Sequence, residues 1–211
     1  MIKTAIVGYG KNPSKMIESY MDRLEHYLPV YYPNISWQFY EAKFKEATTI
    51  RCKHELKEKV LVYHPNIVFI ELNSEEMDSD HPGFVSLAEY ENQLEDILKE
   101  IKQFNNRTGL NKSMPIPIII TPVPINEEKV KTNRTNNRIK QYTYVAKTIS
   151  AKYQCPIIDL FNALSRVEAY ETFYLEENGL RLNQKGEDLL YDMLFIELTR
   201  LINYQGVLKD R

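Results

Sequence analysis

The chain has 211 residues, 43% of them hydrophobic, and a formal net charge of -2. This length is enough to bury a core, and we expect one domain over residues 1–211. The near balance of charge argues against nucleic-acid binding and against binding to an anionic membrane surface.

The cysteine content and the first residues bear on location. Cys52 and Cys155 are the only cysteines, too few for a disulfide scaffold or a Cys-based zinc site. The chain opens directly with "MIKTAIVGYG", which has the pattern of a strand and a turn rather than of a signal peptide. No apolar run approaches the length of a membrane span. We therefore expect a cytoplasmic protein without a membrane segment, and the oligomeric state stays open.

The first quarter of the chain alternates between strand and helix patterns. "TAIVGY" predicts a buried strand over 4–9, followed by a helix over 13–28 with Pro13 in its first turn. A second strand is predicted over 35–42 and a second helix over 53–64.

The middle of the chain carries the clearest patterns. Residues 66–72 are nearly all apolar, which is typical of a strand covered on both faces. A long amphipathic helix is predicted over 86–104, where Ser86 and Glu89 have the spacing of a capping box. A fourth strand follows over 116–123.

The last third repeats the alternation. A helix is predicted over 134–153, a short strand over 156–160 and a closing helix over 184–203. Strands that alternate with helices predict an α/β, three-layer sandwich in which a five-stranded parallel sheet has helices on both faces. Such sheets bind ligands at the carboxyl ends of their strands. Function is therefore expected in the following segments: 9–14, 41–49, 72–85, 121–135 and 159–182.

The opening "IVGYGKNPS" contains a partial dinucleotide-binding pattern. Gly8 and Gly10 fit the first two glycines of G-x-G-x-x-G, and Glu41 at the end of the second strand could contact a ribose. Pro13 stands where the third glycine is needed for close packing of the helix on the strand. The match is weak, and we expect no nicotinamide cofactor and no other cofactor.

Taken in order, four segments resemble the SGNH hydrolases, also called GDSL-type esterases and lipases. They are "IVGYGKNPS", "NIVFIELNSEE", "PIPIIITPVPI" and "CPIIDLFNAL" with "NGLRLNQKG". The resemblance covers nearly the whole chain and implies the flavodoxin-like sheet of that family. In the family a Ser attacks an ester carbonyl, a His three residues after an Asp activates the Ser, and a Gly and an Asn help to hold the oxyanion.

The residues that the resemblance places in these roles are not the catalytic ones. Asn12 stands at the nucleophile, Glu75 at the oxyanion Asn, Asn178 at the Asp and Arg181 at the base. An amide is not a nucleophile, a guanidinium stays protonated, and a carboxylate repels an oxyanion instead of donating to it. Three further positions match the family pattern as they stand: Gly179, Asn183 and Gly186. The family's second block has no counterpart glycine in "YEAKFKEATT".

Other residues could stand in for the missing chemistry. Ser14 lies two residues beyond the nucleophile position, and His81 lies on a loop at the functional edge. A Ser in a first helical turn more often bonds to the backbone, and a His before Pro in a loop is usually solvated. The acidic "EEMDSDH" lacks the glycine and spacing of a calcium loop, so we expect no metal site.

Two functions of different classes follow. The favoured one is a non-catalytic member that binds a small anionic or acylated ligand, or a protein partner, through the former active-site cleft; the alternative is an acyl-ester hydrolase with unusual residues. A patch made of Tyr27, Tyr31 and Tyr32 could serve a protein partner, although ordinary packing explains it better. In the cleft we expect Arg181 to form an ion pair, directly or through one water, with Glu75 or Glu76. The binding residues predicted for the cleft are Gly10, Lys11, Asn12, Asn73, Glu75, Glu76, Arg134 and Arg181.

Overall fold

A parallel sheet with the strand order β2-β1-β3-β4-β5 forms the centre of the molecule. The computed structural model of the chain describes residues 2–10, 17–44, 48–104 and 114–204. Each pair of neighbouring strands runs parallel, which brings all the carboxyl ends to one edge. The α/β class and the parallel sheet predicted from the sequence are confirmed. The strands are β1 Ile2–Gly10, β2 Ile35–Lys43, β3 Ile67–Glu71, β4 Ile116–Ile120 and β5 Ile157–Ile158.

Helices cover both faces of the sheet. Their bounds are α1 Tyr20–Tyr31, α2 Thr49–Lys59, α3 Leu87–Gln103, α4 Asn136–Lys152, α5 Leu160–Ser165, α6 Tyr170–Tyr174 and α7 Gln184–Thr199. Short 3₁₀ helices cover Leu61–Tyr63 and Glu75–Met77, and a π-helical turn covers Arg200–Tyr204. None of the helices in these described ranges combines the length and apolar character that crossing a bilayer requires.

The alternation of side chains along β3 and β4 divides the core into two layers. Val68 and Ile70 face the cluster that contains α2, α3 and α4, whereas Ile67 and Phe69 face the cluster that contains α1 and α7. Every residue from Ile67 to Ile70 is at most 1% exposed. Strand β3 is therefore buried on both faces, as its nearly all-apolar sequence predicts for a central strand.

Local capping signals fix where the helices begin. Ser86 caps α3 with the predicted capping box, because its side chain accepts from Glu89 N and Glu89 bonds back to it. The prediction for α1 is wrong at its start, since Ser19 and Asp22 form a second capping box and the helix begins at Tyr20 instead of residue 13. Helix α2 likewise begins earlier than predicted, at Thr49 behind the N-cap Thr48.

The opening glycines lie in a strand and not in a turn. Gly8 pairs with Glu41 of β2 and Phe69 of β3, and Gly10 pairs with Lys43. A Cβ on Gly8 would lie 3.3 Å from the side chain of Met21, so the glycine lets α1 pack closely. A dinucleotide-binding turn needs its first glycine after the strand, so this placement removes the basis of that alternative.

The tyrosines in the last turns of α1 and directly after it take part in packing. The Tyr31 ring lies 5.1 Å from that of Phe195, and the Tyr32 ring lies 6.3 Å from that of Trp37. Tyr27 and Tyr31 remain partly exposed. These residues thus take part in packing between α1, α7 and β2, and a protein partner for their exposed parts stays a prediction.

Candidate functional site

The loop after β3 carries a buried carboxylate. Glu76 lies in the 3₁₀ helix that follows the strand and is 0% exposed. Its Oε2 accepts hydrogen bonds from Thr49 N at 2.8 Å and from Thr49 Oγ1 at 2.7 Å. Its other oxygen, Oε1, is buried with no hydrogen-bond partner. Burial raises the pKa of Glu76 to about 7, and the bonds from Thr49 oppose this shift.

The same loop presents polar donors beside Glu76. Asn73 Oδ1 accepts from Glu75 N at 3.1 Å, while Asn73 Nδ2 is buried without a partner. Ser74 is only 7% exposed, and its Oγ accepts from Arg134 Nη1 at 3.4 Å. The structure thus links the loop after β3 with the loop after β4 at the carboxyl edge of the sheet.

Residues 129–140, "KVKTNRTNNRIK", form a basic run from the loop after β4 into the start of α4, and Arg134 is buried within it. Arg134 is 9% exposed, whereas Lys131 is exposed. Arg138, one helical turn further along, donates to the backbone carbonyls of Met77 and Asn133. Of these three residues only Arg134 is buried. The basic composition of the segment did not indicate this burial.

A hairpin carries the residues at the family's Asp and His positions. Leu175 and Leu182 pair as an antiparallel bridge, and the turn between them places Asn178 at an exposed tip. Asn178 bonds within the hairpin, through Oδ1 to Leu180 N at 2.8 Å and through Nδ2 to Glu176 at 2.8 Å. The hydrogen bonds of its side chain therefore stabilise the turn.

Gly179 attaches this hairpin to the carboxyl edge. Its carbonyl accepts from the backbone N–H of Asn126, in the loop after β4, at 2.9 Å. Gly179 has φ +68°, and an added Cβ would lie 2.8 Å from Asn126 Cβ. Gly186 is also required by packing, since its Cβ would lie 2.6 Å from Tyr174 O. The two glycines that match the family pattern thus have steric reasons in this chain.

Arg181, at the base position, is half-buried in the hairpin. In the described part of the chain no carboxylate lies within 4 Å of its guanidinium, so the direct ion pair expected with Glu75 or Glu76 is wrong. For Glu76 the reason is local, because its carboxylate is buried and accepts from Thr49 instead. The bridge through one water stays a prediction.

Four residues of the predicted site belong to the end of β1 and the segment that follows it in the sequence. Gly10 ends β1 at the carboxyl edge, opposite Lys43 of β2. The residues that follow it in the predicted site lie outside the described residues: Lys11, Asn12 and Ser14. The loop that would carry the family's second-block glycine also includes residues outside the described ranges, 45–47.

His81 is the histidine that the fold brings to the carboxyl edge. Its Nδ1 accepts from Gly83 N at 3.0 Å, so the neutral ring carries its proton on Nε2. Neither ring nitrogen then offers a free lone pair to a nucleophile. The other three histidines lie in helices or at the opposite edge of the sheet: His26, His54 and His64.

The acidic loop is held by hydrogen bonds. Asp78 Oδ1 accepts from Asp80 N at 3.1 Å, and Asp80 Oδ2 accepts from Asn133 Nδ2 at 2.6 Å. Within the described ranges no group of three or more His, Cys, Asp and Glu side chains is arranged to hold a metal ion.

A second buried carboxylate was missed from the sequence. Glu187 of α7 is 8% exposed and accepts from Tyr20 N, the first residue of α1, at 3.0 Å. Burial raises its pKa to about 7, and nearby carboxylates, Asp22 first among them, add to the rise. No sequence signal marks it, because its partner is far away along the chain. Glu76 and Glu187 thus bind the N-termini of the two helices that follow β2 and β1.

A surface groove between α2 and α3 offers a second concavity. It lies toward the C-terminal ends of both helices, away from the carboxyl edge of the sheet, and includes Leu61 and Phe104. Ion pairs span it, from Lys53 to Asp96 at 2.7 Å and from Lys57 to Glu100 at 3.3 Å. Its charges are thus already paired, and it contains none of the predicted site residues.

Solved structures of hydrolases resemble this chain over almost its whole length. The lipase/acylhydrolase from Enterococcus faecalis is 20% identical with a TM-score of 0.65, covering 94% of this chain and 95% of that one. The α/β hydrolase enzyme LAE5 from the metagenome of Lake Arreo is 16% identical with a TM-score of 0.66, covering 96% of both chains. The acetylxylan esterase Axe2 from Geobacillus stearothermophilus is 17% identical with a TM-score of 0.66, covering 99% of this chain and 97% of that one.

Sequence comparison adds no assignment, since no protein-family model and no curated protein matches the chain. With identities of 20% or less, the structural likeness concerns the fold and not the activity. The chain therefore has the α/β fold of these lipase and esterase structures.

Proposed function

We propose that this chain is a hydrolase-like protein without ester-hydrolysing activity, which binds a ligand or a protein partner at the carboxyl edge of its sheet. The structural similarity to lipases and esterases supports the hydrolase-like fold. The identity of the residues at the family's catalytic positions supports the loss of chemistry, since they are Asn12, Glu75, Asn178 and Arg181.

The observation that carries this proposal concerns the general base. An acyl-transfer site needs a group that accepts the proton of its nucleophile. A guanidinium such as that of Arg181 has no lone pair to accept a proton, and His81 already uses Nδ1 as an acceptor for Gly83 N. The hairpin residue Asn178 bonds within its own turn and is not available to orient a base elsewhere.

The second candidate function is an acyl-ester hydrolase that uses Ser14 and His81. The placement of His81 at the functional edge favours it over any use of the other histidines. It requires the His81 ring to release Gly83 N before it can accept a proton, which costs the loop a hydrogen bond.

An esterase assay separates the two functions. The full chain is incubated with p-nitrophenyl acetate and, separately, with a fluorophosphonate probe, alongside the Geobacillus acetylxylan esterase as the active control. We expect no hydrolysis above the buffer rate and no labelling. Labelling in a one-to-one ratio, or hydrolysis that disappears in Ser14→Ala and in His81→Gln, would establish the hydrolase instead.

A further inference from the structure

The carboxyl edge between β3 and β4 contains hydrogen-bond donors that lack acceptors. Arg134 is 9% exposed, and among the described residues its guanidinium donates to two hydroxyl groups, Ser74 Oγ and Thr132 Oγ1, each at 3.4 Å. These distances exceed the usual range of about 2.7–3.2 Å for N–H···O bonds. The guanidinium therefore has five N–H groups and two weak partners.

No carboxylate compensates this charge. Within the described ranges the ion pairs leave Arg134 out. In the neighbouring loop, Glu76 Oε2 accepts from Thr49 and Asp80 Oδ2 accepts from Asn133, and no ion pair joins either carboxylate to Arg134. A buried charge is normally paired, because removing it from water is costly.

Ser74 adds a second donor at the same place. Its Oγ accepts from Arg134 Nη1, so its own proton is directed away from the guanidinium. The residue is 7% exposed and has no acceptor for that proton among the described residues.

Asn73 contributes a third donor next in the chain. Its Oδ1 accepts from Glu75 N at 3.1 Å, which fixes the orientation of the amide and makes the buried, unpartnered atom Nδ2. One amide, one hydroxyl and one guanidinium of two adjoining loops thus each keep a donor without a good acceptor among the described residues.

The adjacent start of α4 is not part of this arrangement. Its first amide, Asn136 N, donates to Glu127 at 2.5 Å, and Arg138 N donates to the N-cap Thr135 at 3.2 Å. The helix N-terminus is therefore already occupied, and the unpaired donors belong to the loops alone.

From these contacts we propose that Arg134, Ser74 and Asn73 form a binding site for the oxyanion of a small ligand, a carboxylate or a phosphate group. The planar fork of an Arg bonds two oxygens of either group at once, which a point charge cannot do. The inference rests on the proposed function in that it names the chemical group that the carboxyl edge recognises. The anion site does not depend on whether the protein hydrolyses esters.

Titration of the full chain tests the site. Isothermal titration calorimetry uses sodium acetate in one arm and inorganic phosphate in the other, at constant ionic strength set with chloride. We expect saturable one-to-one binding of at least one anion, and the arm that saturates identifies the group. If neither anion saturates, or if chloride competes equally with both, the proposal is wrong.

Three variants locate the binding. Arg134→Gln is expected to weaken the anion by at least about tenfold, and Arg134→Lys to weaken it as well because the fork is lost while the charge remains. The matched control is Arg138→Gln, which removes the same charge one turn away from a side chain bonded to carbonyls. An equal loss in Arg138→Gln would show a diffuse field in place of a site, and would overturn the proposal.

Melting of the variants without anion tests whether Arg134 has a purely structural role. An Arg without a counter-charge is expected to stabilise the unliganded fold little, so Arg134→Gln should melt within a few degrees of the parent chain. A melting temperature lowered by much more, together with an absence of anion binding, would make Arg134 a structural residue. Ester hydrolysis in the assay above would refute the proposed function without affecting this titration, so the two failures are distinguishable.

Discussion

The carboxylate of Glu76 is bonded to the first residue of α2, with Oε2 lying 2.8 Å from Thr49 N and 2.7 Å from Thr49 Oγ1. This contact joins the loop after β3 to the helix after β2, the two segments on either side of β1 at the carboxyl edge. A helix leaves its first N–H groups without partners, and a buried acceptor from another element satisfies one of them here. The contact thereby helps to fix the geometry of the candidate site.

Removing the acceptor should destabilise the protein, whereas removing only the charge should not. Glu76→Ala leaves Thr49 N without its acceptor, while the Thr49 hydroxyl keeps Gln93 Oε1 as a partner, and we expect a loss of about 1–3 kcal/mol in the free energy of unfolding. Glu76→Gln keeps an acceptor oxygen and avoids the buried charge, so at pH 8 it is expected to be at least as stable as the parent. Urea unfolding measures both, with Glu91→Gln on the exposed face of α3 as the control. Equal losses in the Gln and Ala variants would assign the effect to the charge.

The pH dependence of stability should follow the two buried carboxyl groups. Glu76 and Glu187 have pKa values raised from 4.5 to about 7, so the native state keeps their protons where the unfolded state releases them. Their contribution is full below pH 4.5 and is lost as the pH rises through about 7. We expect each group to lower the free energy of unfolding by a few kcal/mol across that window, at about 1.4 kcal/mol per pKa unit.

The double variant Glu76→Gln with Glu187→Gln checks this assignment. Urea unfolding at a series of pH values between 4.5 and 8 should give a flatter profile for the double variant than for the parent. The groups that face Glu76 include Tyr90, whose own pKa is raised well above 10 by burial, and they do not titrate in this window. A parallel profile in both proteins would show that other groups produce the dependence.

Gly179 should be required for the position of the hairpin. A residue with a Cβ would be strained at φ +68° and would approach Asn126 Cβ to 2.8 Å, so we expect Gly179→Ala to cost about 1–3 kcal/mol. Thermal unfolding measures the loss, with Glu177→Ala at the exposed tip of the same hairpin as the control. A Gly179→Ala protein as stable as the control would mean that the hairpin moves away from the loop after β4 without a penalty.

Restoring the family's catalytic residues should yield little activity. The quadruple change is Asn12→Ser, Glu75→Asn, Asn178→Asp and Arg181→His. A displacement of about 1 Å can reduce catalysis about a hundredfold, and the chain lacks the glycine of the second block. Hydrolysis of p-nitrophenyl acetate measures the outcome, with Asn12→Ser alone as the reference. Efficient turnover by the quadruple variant would show that the cleft still has its catalytic shape.

Short-range patterns predicted much of the fold. The capping box of Ser86 and Glu89 and the apolar run of β3 are local signals, so the sequence alone placed both elements within about one residue. The start of α1 also had a local signal, in Ser19 and Asp22, but the periodicity of the apolar residues before it pointed to an earlier start. The short helices α5 and α6 have too few turns to show a helical periodicity of apolar residues, so the sequence did not predict them.

The candidate site depended on contacts between distant segments. The sequence identified the residues at the family's catalytic positions and the loops that carry them, because the order of elements determines which loops share an edge. It did not reveal that Glu76 is buried against Thr49, that Glu187 binds the start of α1, or that Arg134 is buried without a carboxylate. Burial and pairing of a charge depend on what other segments place around it. That environment exists only once the chain is folded, so only the tertiary structure determines which charged groups of this site are buried and which are paired.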